Sequence, residues 1–205
     1  ARLFAKIVGV FLKKSEGILI IGASKISRLL GVYLENNGRH VVLIDSNQNN
    51  IDKAEELGLE ALSSNIYADT LSDNIELNDV GYIMAMTGNS DINAYVIEKF
   101  SKDFGENGSY RLVTSDEMNN PENSPKEGLF SPTDDYINLT EVIRKYPAIQ
   151  EIDIHDVAHY EGLMEMASKD KYIIPLFIKD DEGMLHIISV HNTRSDIVGQ
   201  NFMLV

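Results

Sequence analysis

Three neighbouring stretches decide the fold: Gly17-Ile-Leu-Ile-Ile-Gly22, Ala23-Ser-Lys-Ile-Ser-Arg28 and Val41-Val-Leu-Ile-Asp45. The first and third are apolar runs with the length and β-branched content of buried strands. Between them, residues 24–36 carry apolar side chains at helical spacing, and Asn36-Asn37-Gly38 is typical of a helix end. A buried strand, a short turn, a helix and a second buried strand form a βαβ unit of a parallel sheet.

The same alternation continues to about residue 115. It predicts a Rossmann-like α/β fold, a doubly wound parallel sheet occupying residues 17–115. The predicted strands are 17–22, 40–45, 59–63, 80–86 and 110–113, and the predicted helices are 24–36, 47–57, a weaker one at 68–76, and 90–104.

The chain after this domain changes character. Residues 116–135 contain three of the five prolines among polar residues, a composition that disfavours a packed core and predicts a linker or a long surface loop. Residues 136–205 are predicted to form a small β-rich C-terminal domain. Its strongest feature is a hairpin of residues 173–178 and 184–190 around the turn at Gly183.

Residues 1–16 are predicted to form a basic segment, because the first 14 of them hold four basic residues and no acidic one. Lys and Arg cluster on the cytoplasmic side of membrane spans, so this stretch has the character of a juxtamembrane segment. An ordinary surface helix with solvated lysines is the alternative.

Composition excludes several classes of protein. The 205 residues include no Cys, which excludes a disulfide-stapled scaffold, and no apolar run approaches the ~20 residues that span a bilayer. The formal net charge of −14 makes nucleic acid an unfavourable partner, since that affinity comes mostly from Lys and Arg.

The turn after the first strand predicts a nucleotide site. Gly22 permits a tight reversal, the following helix N-terminus receives a phosphate, and an acid about 20 residues on, here Asp45, binds ribose hydroxyls. The second and third glycines of the usual pattern are Ser24 and Ser27. Lys25 and Arg28 could compensate by binding a phosphate directly, or could be solvated helix residues.

Two other motifs have ordinary explanations. Tyr95 and Lys99 match the Tyr-x-x-x-Lys pair of short-chain dehydrogenases but follow the fourth strand rather than the fifth, and they fit a surface helix pair. His155 and His159 have metal-ligand spacing only if helical, whereas the preceding alternation favours a strand and two exposed histidines.

Residues 17–115 resemble the TrkA-N, or RCK (regulator of potassium conductance), nucleotide-binding domain of bacterial cation transport systems. The likeness rests on Ile18-Leu-Ile-Ile-Gly-Ala23, on Val41–Asp45 with Ser46-Asn47, on Leu59-Glu-Ala-Leu-Ser-Ser-Asn-Ile66 and on Ala85-Met-Thr-Gly-Asn-Ser-Asp-Ile-Asn93. The turn, with Arg28 and the preceding Arg2-Leu-Phe-Ala-Lys6, is similar to the cytosolic tail of bacterial sodium/proton antiporters.

The resemblance implies a homodimeric regulatory domain on the cytoplasmic face of the bacterial inner membrane, joined to the transporter's transmembrane domain. Its ligand would be NAD(H) or an adenine nucleotide. By position, Gly22 and Ala23 form the phosphate turn, Asp45 binds the ribose, and Asn65 contacts the ligand after the third strand. The full set of candidate binding residues is Gly22, Ala23, Ser24, Lys25, Arg28, Asp45, Ser46, Asn65, Thr87 and Gly88.

The sequence therefore favours a non-enzymatic module that gates a cation transporter, most specifically a sodium/proton antiporter, by shifting between domain or dimer arrangements. Two alternatives stay open. The first is an NAD-dependent oxidoreductase, which would need an acid or base close to a nicotinamide. The second is a degenerate Rossmann scaffold that dimerises without a ligand, which Ser24 and Ser27 favour.

Overall fold

The computed structural model describes residues 15–68, 77–119, 125–131, 134–180 and 182–190, together with the backbone of residues 201–204. The predicted basic segment lies outside the described residues except for Ser15 and Glu16. The weaker helix predicted at 68–76 lies outside them except for Ala68.

The first sheet confirms the predicted doubly wound fold. Its five parallel strands are β1 Gly17–Ile21, β2 Val41–Asp45, β3 Glu60–Ser63, β4 Val80–Ala85 and β5 Gly108–Arg111. They lie in the order β3-β2-β1-β4-β5, so the chain turns back across β1 and continues on its other side. The fifth strand begins two residues earlier than predicted, because Gly108 pairs with Tyr82 in the ladder.

Helices cover both faces of this sheet. They are α1 Lys25–Asn36, α2 Gln48–Glu55 and α3 Ser90–Phe104, with caps Ser24, Asn47 and Asn89. Each begins at a side-chain cap, as the polar residues after the strands predict. Alternate residues of β1 are buried in two clusters: Ile18 and Ile20 pack with α1 and α2 on one face, and Leu19 and Ile21 pack with α3 on the other.

After the parallel sheet the chain forms a short helix, α4 Ser115–Met118, and then a C-terminal unit that is less purely β than predicted. The elements of this unit are α5 Tyr136–Lys145, β6 Gln150–Ile152, α6 Val157–Lys169, β7 Pro175–Lys179, β8 Leu185–Ile187 and β9 Asn201–Leu204. Its strands form an antiparallel sheet of order β6-β9-β7-β8, which confirms the predicted second sheet and its hairpin.

Helix α6 was not predicted, and the expectation of strand structure around His155 and His159 is wrong at His159. Asp156 caps the helix by accepting a hydrogen bond from the His159 amide at 2.7 Å. Tyr160, Leu163, Met164 and Ala167 follow helical spacing along α6 and form an apolar stripe, of which Tyr160 and Ala167 are buried. The expectation of a strand came from the alternation of residues 151–154, which precedes this stripe. None of the helices in the described part of the chain is long and apolar enough to cross a membrane.

The two sheets share one hydrophobic core. Side chains of α5 and β7, including Leu139 and Phe177, pack in the same cluster as Leu30 and Leu34 of α1.

The predicted surface linker, residues 116–135, differs from the structure, because Leu129 and Phe130 are fully buried in this shared cluster. Polar composition over 20 residues concealed two apolar residues that anchor the segment.

A buried arginine joins three parts of the chain. The guanidinium of Arg39 donates to the carbonyl oxygen of Leu185 in β8 at 2.8 Å and to that of Glu16 at 3.0 Å, and it also pairs with the Glu16 carboxylate. Because Arg39 is only 6% exposed, these partners are needed to hold its charge away from water. The residue before β1 is thereby connected to the C-terminal hairpin.

At the amino ends of the strands, His40 joins two acidic residues. Its Nδ1 lies 2.9 Å from Asp79 Oδ2 and its Nε2 lies 3.1 Å from Glu60 Oε2. Partial burial lowers the pKa of His40, but the hydrogen bonds and charges of Glu60 and Asp79 outweigh it, and the net pKa is raised.

We expect His40→Gln to reduce stability in acid and not in base. The raised pKa means that the protonated ring stabilises the fold fully below its ordinary pKa of about 6.5, and that this contribution disappears as pH rises through the folded-state value. Since the side chain is one third exposed, the loss near pH 6 should be only about 0.5 kcal/mol.

Urea unfolding of both proteins at pH 6 and pH 9 measures this difference. The control is His40→Gln in a Glu60→Gln, Asp79→Asn background, where the substitution should have no pH-dependent effect. An equal loss at both pH values in the wild-type background would contradict the ion-pair explanation.

Candidate nucleotide site

A crevice of about 260 Å³ opens at the carboxyl ends of β1, β2 and β4, where the strand order reverses. This is the position at which open α/β sheets bind ligands. Seven of the ten predicted binding residues line it: Gly22, Ser24, Asp45, Ser46, Asn65, Thr87 and Gly88. Its further lining residues are Ile21, Ile44, Asn50, Ser64, Ile66, Tyr67, Met86, Ile92 and Tyr136.

Gly22 is required by the backbone at the turn. Its φ of 99° is rare for residues with a side chain, and a Cβ there would lie 3.0 Å from the carbonyl oxygen of Met86. Gly22 therefore makes the tight reversal that the sequence predicts, and the residue after β4 lies directly against it.

Asp45 binds the turn from the end of the neighbouring strand. Its Oδ2 accepts hydrogen bonds from the Ala23 amide at 2.8 Å and from Asn50 Nδ2 at 3.0 Å. Its Oδ1 accepts from the Asn47 amide at 2.9 Å. Ala23 itself is fully buried and is held at the site through its amide rather than through its side chain.

The two serines that replace glycines cap α1. The Ser24 hydroxyl accepts a hydrogen bond from the Ser27 amide at 3.4 Å, and the two hydroxyl oxygens lie 3.0 Å apart. Ser27 is fully buried beneath the turn. The substitutions therefore bring side-chain oxygens to positions where a glycine pattern leaves backbone alone.

Lys25 and Arg28 do not reach the crevice, contrary to their predicted role as phosphate ligands. The Lys25 ammonium lies 3.5 Å from the carbonyl oxygen of Ile143 in α5, and an Arg28 guanidinium nitrogen donates to the carbonyl oxygen of Ala23 at 2.5 Å. Both side chains line a shallow surface with α2 on the outer side of α1. Their position one and four residues into the helix turns them away from the strand ends.

The opposite edge of the crevice is fixed by Asn93, which is buried at the start of α3. Its side chain accepts from the Thr87 amide at 3.0 Å and donates to the Thr87 carbonyl oxygen at 3.0 Å, and it also contacts the carbonyl oxygen of Leu112 at 3.3 Å. Asn93 thus holds the chain after β4 in the form that places Thr87 and Gly88 at the edge.

Tyr136, the first residue of α5, closes the crevice from the C-terminal unit. Its ring packs so closely on Gly88 that a Cβ there would lie 3.1 Å from two ring carbons. On the other side, the Asn65 side chain shapes the turn by accepting from the Tyr67 amide at 3.0 Å, and the Tyr67 ring lies 4.8 Å from that of Tyr95.

A buried carboxyl group precedes Tyr136. Burial raises the pKa of Asp134 to about 6, although hydrogen bonds from Ser131 and Asn138 oppose this by favouring the charged form, and the charge of Asp135 adds to the rise. The Ser131 amide donates to Asp134 Oδ2 at 3.0 Å. The start of α5, and with it the position of Tyr136, therefore depends on a group that titrates in mildly acidic solution.

Sequence reasoning missed Asn50, Ser64, Tyr67 and Tyr136. Asn50 could have been found, because it lies five residues after Asp45 on the helix that begins there. Tyr136 gives no such signal, since 48 residues separate it from Gly88 and only the packing of α5 brings the two together.

A larger cavity of about 480 Å³ lies in the C-terminal unit between α5, β6 and α6. Its walls are mostly apolar and aromatic, with Tyr146, Leu163, Met166 and Tyr172 among them. It contains none of the predicted binding residues. The crevice at the strand ends is therefore the nucleotide site indicated by both sequence and fold.

A family model described as the TrkA-N domain matches residues 18–122, slightly more than half of the chain. The chain belongs to the TrkA-N domain family. The predicted family is thereby confirmed, and the match covers the parallel sheet of this TrkA-N domain from Ile18 onward and the residues that line the crevice, with the exception of Tyr136. TrkA-N domains are nucleotide-binding domains of Rossmann type, and the strand order here agrees with that fold.

No curated protein sequence matches the chain. Among solved structures, N5-carboxyaminoimidazole synthetase from Staphylococcus aureus matches 94% of this chain and 47% of its own, with 14% sequence identity and a TM-score of 0.35. The chain thus spans about half the length of that synthetase. At this TM-score the likeness carries no inference about the TrkA-N chain.

We expect Gly22→Ala to lower the free energy of unfolding by about 1–3 kcal/mol, because alanine must adopt a positive φ while its Cβ approaches Met86. The matched control is Gly162→Ala in α6, where nothing lies within 4 Å of the added Cβ. That substitution should raise stability by about 0.5–1 kcal/mol through helix propensity. Urea unfolding monitored by circular dichroism measures both, and equal effects would contradict the strain at Gly22.

We expect Asp134 to make the protein less stable as pH rises from 4 to 6. The raised pKa means that the folded state holds a proton that the unfolded state releases, so stability is greatest below the ordinary pKa and falls up to about pH 6. The total penalty should be on the order of 2–3 kcal/mol. Asp134→Asn should remove this slope in unfolding curves at pH 4, 5, 6 and 7, and an unchanged slope would refute the assignment.

Proposed function

We propose that this TrkA-N chain is the cytosolic regulatory domain of a bacterial cation transporter, of the sodium/proton antiporter type. A nucleoside-containing ligand in the crevice would bias the arrangement of a homodimer and of the transporter's membrane domain in the same polypeptide. The family and the crevice at the strand ends support the ligand-binding part of this proposal. The likeness of residues 1–28 to antiporter tails supports the transporter part.

The closure of the crevice by Tyr136 is the single observation that carries the regulatory role. A ligand there contacts both the parallel sheet and the first residue of α5. It would therefore have different affinities for arrangements that differ in the position of α5. A ligand shifts an equilibrium only through such a difference in affinity.

Arg39 supplies a route from the C-terminal unit to the start of the domain. Its guanidinium holds Leu185 of β8 and Glu16, the residue before β1. A movement of the C-terminal sheet relative to the parallel sheet would change these contacts. Because Glu16 is the last residue of the predicted basic segment, such a change would reach the side on which we place the membrane domain.

The proposal treats the domain as non-enzymatic. Tyr95 and Lys99, the pair that matches a dehydrogenase motif, lie on the surface of α3, where the Lys99 ammonium lies 5.6 Å from the centre of the Tyr95 ring. Tyr95 in turn packs on Tyr67 at the rim of the crevice. These contacts support packing and rim formation as the role of the pair.

Ser24 and Ser27 favour a second candidate function, a Rossmann scaffold that dimerises without a ligand. The Ser24 hydroxyl accepts a hydrogen bond from the Ser27 amide and lies beside the Ser27 hydroxyl, at the helix N-terminus where related folds bind a phosphate. The two candidates differ in one measurable respect, namely whether any nucleoside-containing compound binds the crevice.

A calorimetric and thermal-shift screen of the purified chain against adenosine, AMP, ADP, ATP, NAD and NADH tests the proposal. We expect at least one compound to bind, and Tyr136→Ala to weaken that binding by about tenfold through loss of an aromatic contact. The control is Tyr146→Ala, which removes the same side chain at the other end of α5, away from the crevice. Binding lost equally in both variants would contradict the role of Tyr136.

The transporter part is tested in everted membrane vesicles that contain the full-length protein. Sodium-dependent proton movement should respond to the compound found in the screen. Tyr136→Ala should raise the concentration needed for that response by about tenfold while leaving basal transport intact. If no compound binds a folded chain at millimolar concentration, the scaffold function replaces the regulatory one. If NADH is oxidised with a substrate present, the non-enzymatic reading is wrong.

A further inference from the structure

We propose that the crevice prefers a nucleoside without a phosphate over the corresponding 5′-monophosphate and over a dinucleotide. This inference rests on the proposed function, because it names the class of ligand for the same crevice. It departs from the phosphate-binding role that the sequence assigns to the turn after β1.

The charge of the crevice opposes a phosphate. Among its described lining residues there is no Lys, Arg or His, and Asp45 is the only one with a formal charge. The two nearby cations, Lys25 and Arg28, are bound to carbonyl oxygens outside the crevice.

Two of the amides at the turn already donate within the protein. The Ala23 amide donates to Asp45 at 2.8 Å, and the Ser27 amide donates to the Ser24 hydroxyl. The Asp45 carboxylate therefore provides the negative charge that a helix N-terminus attracts. A phosphate at the turn would lie beside a carboxylate in a partly buried site, where repulsion between like charges is weakly screened.

Shape supports the same conclusion. Ser24 lines the crevice and carries a side chain at the position where a dinucleotide site has glycine, which hinders the close approach of the backbone to a pyrophosphate. On the other half of the crevice, the Tyr136 ring lies against Gly88. The volume of about 260 Å³ is at the small end for ligand sites and suits one nucleoside better than the two of NAD.

The groups that remain fit an uncharged ribonucleoside. Asp45 accepts three hydrogen bonds, and a carboxylate has room for about four, which leaves one site for a ribose hydroxyl. Asn50, Ser64 and Asn65 add neutral polar groups on the same side. Tyr67 and Tyr136 supply aromatic surface against which a base can stack.

Calorimetric titration of the purified chain with adenosine, guanosine, cytidine and uridine, each beside its own 5′-monophosphate, and with NAD tests the inference. At low ionic strength we expect at least one nucleoside to bind ten times or more tightly than its monophosphate and than NAD. The difference in affinity should narrow only slightly in 0.5 M NaCl, since salt weakly screens a repulsion within a partly buried site.

Asp45→Asn keeps an acceptor for the Ala23 amide and removes the charge. We expect it to reduce the ratio of nucleoside to monophosphate affinity by about tenfold. Asp52→Asn is the matched control, because it removes the same charge from the exposed face of α2, where Asp52 binds Gln48 at 2.8 Å. The control should leave the ratio unchanged.

Each outcome has a distinct meaning. If a monophosphate or NAD binds more tightly than the nucleoside, this inference is overturned and the regulatory nucleotide-binding function stands. If the ratio changes equally in both variants, the charge of Asp45 is not the cause and the inference also fails. If nothing binds at millimolar concentration while circular dichroism shows a folded chain, the inference and the ligand-dependent function fail together.

Discussion

The hydrogen bond from the Ala23 amide to the Asp45 carboxylate joins the ends of β1 and β2 at 2.8 Å, and the site depends on it. It fixes the turn after Gly22, orients the start of α1 and supplies negative charge at the helix N-terminus. The same carboxylate accepts hydrogen bonds from the amide of Asn47, the cap of α2, and from the side chain of Asn50 within α2. One side chain thus organises the protein groups that would otherwise be offered to a ligand.

The second constraint is the core shared between the two sheets. The face of the parallel sheet that α1 and α2 cover is extended by α5 and β7 in a single cluster. Tyr136 is placed at the crevice by that packing, and Arg39 is buried where β8 meets the residue before β1. Contacts therefore connect the crevice to the C-terminal unit, and the C-terminal unit to the residue before β1. Regulation by domain rearrangement would need such a chain of contacts.

Much of the fold could be predicted from local patterns, with specific failures. Buried parallel strands are continuous apolar runs, so β1, β2 and β4 stand out, and each following cap residue marks its helix. Helix α6 was missed because a strand-like alternation at residues 151–154 precedes it, although Tyr160, Leu163, Met164 and Ala167 have helical spacing. The segment around Leu129 and Phe130 was taken for a linker because polar residues surround that pair. There, average composition masked the two residues that decide the structure.

The sequence by itself determined which residues lie at the ligand-binding edge of the sheet. Gly22, Asp45 and Thr87 come at the ends of apolar runs, and parallel strands bring their carboxyl ends to one edge. Only the tertiary structure decided which side chains face the crevice. Lys25 and Arg28 lie one turn apart on α1 and bind carbonyl oxygens outside it, whereas Tyr136 enters from a helix far along the chain. Direction around a helix and contacts across a shared core are set by packing, which local sequence spacing does not encode.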